Sequence, residues 1–167
     1  ATFDTAFHQT MPEENFLYAV PYGDYTEHHL RKYGFHGTSH YYVSNEAVKL
    51  LNKKDSKVIV CHLGNGSSVS AVRDGKSIST SMGLTPLEGL IMGTRSGDID
   101  AGVIPYLMER KGLNASQILD YLNKKSGILG ISGISSDLRE VIKAANDGDK
   151  RSKIAIEMLC NRIKKYL

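Results

Sequence analysis

The chain has 167 residues, 41% hydrophobic, 23% charged and 8% aromatic, proportions that exclude a disordered, collagenous or low-complexity segment and fit an ordinary globular domain. Its 21 Lys and Arg against 18 Asp and Glu give a net charge of +3, dispersed along the chain, which singles out neither nucleic acid nor a membrane as partner. No apolar run approaches the ~20 residues of a membrane helix, no signal-type segment opens the chain, and the two cysteines, Cys61 and Cys160, form no CxxC, so a soluble protein of a reducing, cytoplasmic compartment is expected.

In chain order, residues 1–7 read as a strand end carrying one carboxylate, Asp4, among Phe3, Ala6 and Phe7. Residues 9–30, with Pro12, Pro21 and no sustained period, read as irregular loop with at most a short helical turn. A helix is expected over residues 39–51, with Val43, Ala47, Leu50 and Leu51 on one face and Thr38 or Ser39 as cap. KVIVCHL, SSVSAVR and KSISTSM then read as three strands of an antiparallel meander, the second turn marked by Asp74-Gly75. After a glycine-rich stretch come helices over about 100–111, ended by Gly112, and from an Asn114 cap, with Gln117 in the capping-box position, to about Lys125. GILGISGISS is too rich in glycine to read as a regular element. Helices over 137–146 and 150–166 complete the chain. It opens on strand-like ATFDTAFH and stops at IKKYL inside an amphipathic pattern, as a piece of something longer does.

Three glycine-punctuated stretches place polar groups where packing would not choose them. His62-Leu63-Gly64-Asn65-Gly66-Ser67-Ser68 could cradle phosphate oxygens with backbone N–H groups and Ser hydroxyls, although a tight hairpin explains the glycines more economically. In Met92-Gly93-Thr94-Arg95-Ser96-Gly97-Asp98, the planar fork of Arg95 suits phosphate or carboxylate; pairing with Asp98 is the bland alternative. In Tyr33-Gly34-Phe35-His36-Gly37-Thr38-Ser39-His40, two histidines stand at i, i+4, but Gly37 lies between them and no third ligand is in register, so a metal is not expected. His36 reads as a donor to developing negative charge, or as a packed structural histidine. Asp4 is partnered or functional, since an unpaired buried carboxylate is costly. His28 and His29 read as solvated; His8 and His62 could line the same cleft as His36.

The segments FDTAFHQTMPE, RKYGFHGTSHYYV, VIVCHLGNGSSVSAV, TSMGLTPLEGLIMGTRSGDID and LNKKSGILGISGISSDLRE, collinear over nearly the whole chain, together resemble the central part of the acetate kinase family. The resemblance implies an α/β, ribonuclease-H-like (actin-like ATPase) fold, in which two such domains close over ATP and a small carboxylate. This chain would hold a partial copy: an antiparallel β-meander with flanking helices, the remaining strands outside it. Residues 1–10 would be the end of the N-terminal domain and the interdomain connection, and residues 11–167 an incomplete C-terminal nucleotide-binding domain.

The same resemblance implies Mg²⁺-dependent, reversible transfer of the ATP γ-phosphoryl group to acetate, giving ADP and acetyl phosphate. It makes Asp4 the acidic active-site residue and His36 and Arg95 the stabilisers of the transition state. His62, Leu63, Gly64, Asn65 and Gly66 would contact the ATP phosphates, Asp137, Leu138 and Arg139 the adenosine, and Phe35 and Pro86 the acetate methyl group. No metal ligand is implied within this chain: the family's metal-associated glutamate and adenine loop would lie after Leu167, its phosphate strand and carboxylate-gripping arginine before Ala1, so this extent alone is expected to be inactive. A homodimer is implied as well.

In-line phosphoryl transfer depends on positioning and on stabilising charge over three equatorial oxygens, a task that suits Arg95, His36 and the loop amides. A carboxylate acceptor with a pKa of about 4 is ionised at pH 7 and requires no general base, so Asp4 is expected to orient Mg²⁺-bound water or a neighbouring cation. Two other readings stand beside this one. A propionate or butyrate kinase differs mainly in the acyl pocket, where one methylene discriminates by only about 1–3 kcal/mol. A non-catalytic, actin-like nucleotide-binding module would need the nucleotide loops but not His36 and Arg95 together.

Overall fold

The computed structural model describes residues 1–52 and 55–167. Its elements follow the order of three-stranded meander and helices that the periodicity predicts. Strands β1 (Lys57–Leu63), β2 (Ser67–Arg73) and β3 (Lys76–Thr80) form one sheet in the order β1-β2-β3. Strands β2 and β3 are antiparallel, with an irregularity between Ala71 and Val72. At the turn joining them Asp74 and Gly75 both adopt positive φ, 50° and 75°, the backbone a type I′ turn demands.

Two compact units are distinguished. One comprises Ala1–Leu63 with Ser68–Pro86, the other Gly64–Ser67 with Leu87–Leu167.

The first unit holds the sheet, a 3-10 helix (Ala6–Thr10), α1 (Glu13–Phe16), α2 (Tyr22–His28) and α3 (Gly37–Leu51). The 3-10 helix packs against β3 and α3, and α3 packs against β1. Three expectations are corrected here. The N-terminal segment is not a strand end: Ala6 and His8 donate to the carbonyls of Phe3 and Thr5 and wind it into the 3-10 turn. Residues 9–30 carry two short helices, each entered through a proline, Pro12 and Pro21, whose fixed φ suits a helix start. In α3, Val43, Leu50 and Leu51 are exposed, whereas Gly37, His40 and Ser44 are buried. The face turned inward is polar: His40 meets the Ser68 hydroxyl and the His8 ring, and His8 is in turn bonded to the buried Ser77.

The second unit is helical: α4 (Val103–Lys111), α5 (Ala115–Lys124), α6 (Gly127–Ser132), α7 (Leu138–Asn146) and α8 (Lys150–Tyr166). Gly112 ends α4 in the left-handed conformation. Asn114 and Gln117 form the expected capping box on α5, each side chain accepting from the other's backbone N–H at 2.9 and 2.8 Å. The corrected element is α6, a helix rather than a loop. Ile128 joins Ile91, Val141 and Ala155 in the buried core, with Ile131, Ile156 and Leu159 packed against it. Helix α8 lies along both α6 and α7. Among the described residues no helix is long and apolar enough to cross a membrane.

Candidate active site

In the first unit, the candidate residues gather around the start of α3. His36 is its N-cap and has a left-handed backbone, φ 55° and ψ 25°, uncommon for a residue other than glycine. The cap is not supplied by Thr38 or Ser39 but from a distant part of the chain. The Asp4 carboxylate accepts from the His36 N–H at 2.8 Å and the Asp4 carbonyl accepts from the Gly37 N–H at 2.8 Å. A negative side chain at a helix N-terminus is favourably placed for the orphan amides and the helix dipole. Asp4 is exposed rather than buried among its apolar neighbours, so it is partnered without a large desolvation cost.

The His36 ring is fixed from two sides. Its Nδ1 lies 2.8 Å from Ser68 Oγ, and its face stacks on His62 with ring centroids 4.0 Å apart and planes 19° apart. His62 Nδ1 is in turn 2.9 Å from Ser39 Oγ, which is where the hydroxyl expected to cap α3 is engaged. Phe35 is half-buried, and its carbonyl accepts from His8 Nε2 at 2.9 Å. Leu63 is exposed and Pro86 half-buried.

Behind His36 lies a group that residue spacing did not single out. His8 and His40 are completely buried. His8 has partners on both nitrogens, Ser77 Oγ at 2.8 Å and the Phe35 carbonyl. His40 has one, Ser68 Oγ at 2.7 Å, and its Nδ1 is a buried atom with no hydrogen-bond partner. Burial pushes the pKa of His8 below the usual imidazole value, opposed by the Phe35 carbonyl and the Asp4 charge. Burial, aided by the neighbouring imidazoles of His8, His36 and His62, pushes His40 down to about 3. Both are neutral bases inside the fold. The hints in the sequence are the i, i+4 spacing of His36 and His40 and the reading of His8 as a residue of the same cleft.

In the second unit, Arg95 sits on a loop held by backbone hydrogen bonds rather than by regular structure. The carbonyls of Met92, Gly93 and Thr94 accept from the N–H groups of Ile128, Leu129 and Ser126, at 2.9, 2.9 and 3.0 Å. The orphan amides at the start of α6 are therefore satisfied by the arginine loop. Thr94 Oγ1 donates to the Asn123 carbonyl at 2.8 Å, and Ser96 N–H to the Leu122 carbonyl at 3.1 Å, at the end of α5. Gly127 has a left-handed backbone, φ 61°. The Arg95 side chain is half-buried, with one guanidinium nitrogen 3.9 Å from Met92 Sδ. Asp98, the alternative partner considered for it, is instead held by Tyr166 OH at 2.7 Å, the Gly89 N–H at 2.8 Å, Lys165 at 3.3 Å and Arg162 at 3.7 Å.

The Gly64–Gly66 loop belongs to this second unit. Its Gly64 N–H donates to the Gly66 carbonyl at 3.2 Å, a tight turn, while Gly64 and Asn65 stay exposed. The Asn65 carbonyl accepts from Gly93 N–H at 3.1 Å, and a Cβ on Gly93 would also meet the Ser136 carbonyl, so the turn, the arginine loop and the segment before α7 converge. The serines of the turn do not reach outward as expected: Ser67 Oγ donates back to the Gly64 carbonyl at 2.9 Å, and Ser68 Oγ is shared by two imidazoles.

At α7, Asp137 is the N-cap, accepting from Arg139 N–H at 2.9 Å, and the Arg139 guanidinium closes on the same carboxylate at 2.5 Å. That hydrogen-bonded guanidinium holds the Asp137 carboxyl down at about 2. Leu138 and Arg139 are exposed. Among the described residues no group of three or more His, Cys, Asp or Glu is arranged to hold a metal ion.

Comparison with known proteins accounts for this arrangement. The family model of the acetokinase family matches residues 1–167. The chain is 60% identical over 169 residues to the acetate kinase of Geobacillus sp. (strain WCH70) and 56% identical to that of Treponema denticola, in each case along the whole of this chain and 43% of the relative. It thus spans less than half the length of these relatives. Among solved structures, it superposes on Porphyromonas gingivalis acetate kinase with a TM-score of 0.95 and 52% identity, covering 98% of this chain and 42% of that one. It superposes equally well, at 0.95 and 54% identity over the same shares, on a propionate kinase from Francisella tularensis. The meander with its flanking helices is therefore part of the α/β, ribonuclease-H-like fold that the sequence motifs imply, and the chain belongs to the acetokinase family.

Proposed function

We propose that the protein to which these residues belong is an acetate kinase, transferring the γ-phosphoryl group of ATP reversibly to acetate. The observation that carries this reading is the state of His36. A non-glycine residue in a left-handed backbone costs about 1 kcal/mol or more. Here it is maintained by the Asp4 carboxylate on its N–H, by Ser68 on its ring nitrogen and by the stacked His62. A histidine so tightly oriented is suited to donate a fixed hydrogen bond to charge on a transferring phosphoryl group.

Arg95 supplies the complementary element. Its guanidinium is presented by a loop whose backbone is hydrogen-bonded to two helices, so little reorganisation is needed when it grips equatorial oxygens with parallel N–H bonds. The turn at Gly64, Asn65 and Gly66, next to Gly93, is assigned to the nucleotide phosphates, and the Asp137–Arg139 segment to the adenosine. Phe35 and Pro86 are assigned to the acyl pocket. Asp4 acts by orientation rather than as a base, since a carboxylate acceptor is already ionised at pH 7; one of the Asp4 oxygens accepts from the His36 N–H. Mg²⁺ would neutralise phosphate charge when bound with the nucleotide; the described residues offer no cluster of three or more His, Cys, Asp or Glu for it.

The second reading, a propionate kinase, is favoured by the likeness to the Francisella tularensis enzyme. A hydroxamate assay of acyl phosphate on the full-length protein, comparing acetate, propionate and butyrate by kcat/KM, tests both. Highest kcat/KM with acetate supports the first, highest with propionate the second. No acyl phosphate from any of the three, with nucleotide still bound, would mean a non-catalytic module.

A further inference from the structure

We propose that Ser68 is a positioning residue that fixes the tautomer of His36, keeping its ring proton on Nε2. The geometry admits few alternatives. One hydroxyl, completely buried, lies 2.8 Å from His36 Nδ1 and 2.7 Å from His40 Nε2, both hydrogen-bonding distances. It has one hydrogen to donate.

Three arrangements satisfy both contacts. In the first, His40 Nε2–H donates to Ser68, and Ser68 donates to His36 Nδ1. In the second the direction is reversed, and the His40 proton moves to Nδ1. That nitrogen is buried without a hydrogen-bond partner, and an orphaned buried N–H is the costlier kind of unsatisfied group. In the third, both rings donate and the Ser68 hydrogen is left with no acceptor among the described residues, in a position closed to water. Only the first leaves nothing worse than an unsatisfied acceptor on His40.

His40 is therefore the fixed end of the chain and Ser68 its relay. His40 carries one proton because its burial and the imidazoles of His8, His36 and His62 around it oppose a second. A neutral ring whose Nδ1 receives the Ser68 hydrogen has its own proton on Nε2. The stacked His62 and the Asp4 contact on the backbone hold the ring plane, and Ser68 chooses which nitrogen is the donor. The catalytic consequence rests on the reading of His36 as a donor to the transferring phosphoryl group; the tautomer itself does not.

Two-bond ¹H–¹⁵N correlation spectra of the full-length protein, labelled at histidine, distinguish a protonated from a bare ring nitrogen. In the wild type, His36 is expected to have a bare Nδ1 and a protonated Nε2. A protonated Nδ1 overturns the proposal without any variant being made. In Ser68→Ala, the His36 signals are expected to become those of a mixture of tautomers, and kcat to fall by about ten- to a hundredfold with KM for nucleotide little changed, the scale on which orienting partners act. If Ser68→Ala retains the single Nε2–H tautomer, the proposal fails. If the tautomer becomes mixed while kcat is unchanged, Ser68 positions the ring as proposed, and it is the catalytic reading of His36 that fails.

Discussion

Replacing Gly127 by alanine tests whether the arginine loop is built on the start of α6. Gly127 has φ 61°, and placing a Cβ there costs roughly 1 kcal/mol from the left-handed backbone alone. The added carbon would also lie within 2.6 Å of the Arg95 carbonyl oxygen and 2.9 Å of its nitrogen, and against the Met92 carbonyl. Backbone cannot rotate aside as a side chain does, so the loop must move. The three hydrogen bonds that fasten it, from Ser126, Ile128 and Leu129 to Thr94, Met92 and Gly93, are worth about 1 kcal/mol each. Losing two of them in addition to the backbone term gives about 3 kcal/mol of destabilisation. Gly112 is the control, because it too is left-handed, φ 64°, but a Cβ there meets nothing within 4 Å. Gly112→Ala is expected to cost about 1 kcal/mol. Urea unfolding of the full-length protein, compared at constant m, measures both. If the two variants lose the same stability within about 0.5 kcal/mol, the close approach of Gly127 to the arginine loop contributes nothing and the reasoning is refuted.

Arg95→Lys keeps the charge but loses the planar fork, and is expected to lower kcat by about 10³-fold with little change in KM; an unchanged kcat in the hydroxamate assay removes Arg95 from the transition state. Asp4→Ala removes the acceptor for the His36 N–H and is expected to cost about 1 kcal/mol, while Asp4→Asn keeps an oxygen there and costs a few tenths; equal unfolding midpoints for the two would rule out that bond as a support of α3. His40 takes up a second ring proton only near pH 3 in the folded state, against 6.5 for the free side chain. The unfolded chain therefore takes up more protons, and stability falls as pH drops from about 6.5 towards 3, by at most about 1.4 kcal/mol per pH unit from this residue. His40→Gln should flatten that acid limb in urea melts between pH 7 and 5, and an unaltered slope would mean that His40 titrates normally.

Much of the fold is legible because it obeys local rules. The Asp74-Gly75 turn, the capping box at Asn114 and Gln117, and the Gly112 stop each need only residues within a few positions of one another. What is not legible depends on contacts across the chain. Helix α6 looks like a loop because its glycines have poor helix propensity, yet its first amides are satisfied by carbonyls more than thirty residues away, at Met92 and Gly93. Helix α3 looks as if it should bury Val43, Leu50 and Leu51, but it buries His40 and Ser44, and His40 finds its partner in Ser68 on β2. The candidate residues carry their roles through the family resemblance, and no spacing rule predicts that the Asp4 carboxylate accepts from the His36 N–H. Ser68 reads in the sequence only as a hydroxyl near a glycine turn, because no spacing rule reveals that two imidazoles converge on it.

The buried histidines carry a cost in this unit. His8 and His40 occupy positions where aliphatic side chains of similar volume would be expected to pack at lower cost, since a partly satisfied polar group in a dry site is worse than none. His8 recovers most of that cost through Ser77 and the Phe35 carbonyl, whereas His40, with one nitrogen unpartnered, does not. A residue that burdens the core in this way is intelligible if its single proton has a use. Through Ser68, that proton determines which nitrogen of His36 can donate. The loss of stability in acid and the fixed tautomer of His36 are then two consequences of one buried neutral ring: a second proton on His40 costs stability, and because it adds to Nδ1 it leaves Nε2–H donating to Ser68, so the direction of the relay does not reverse while the fold persists.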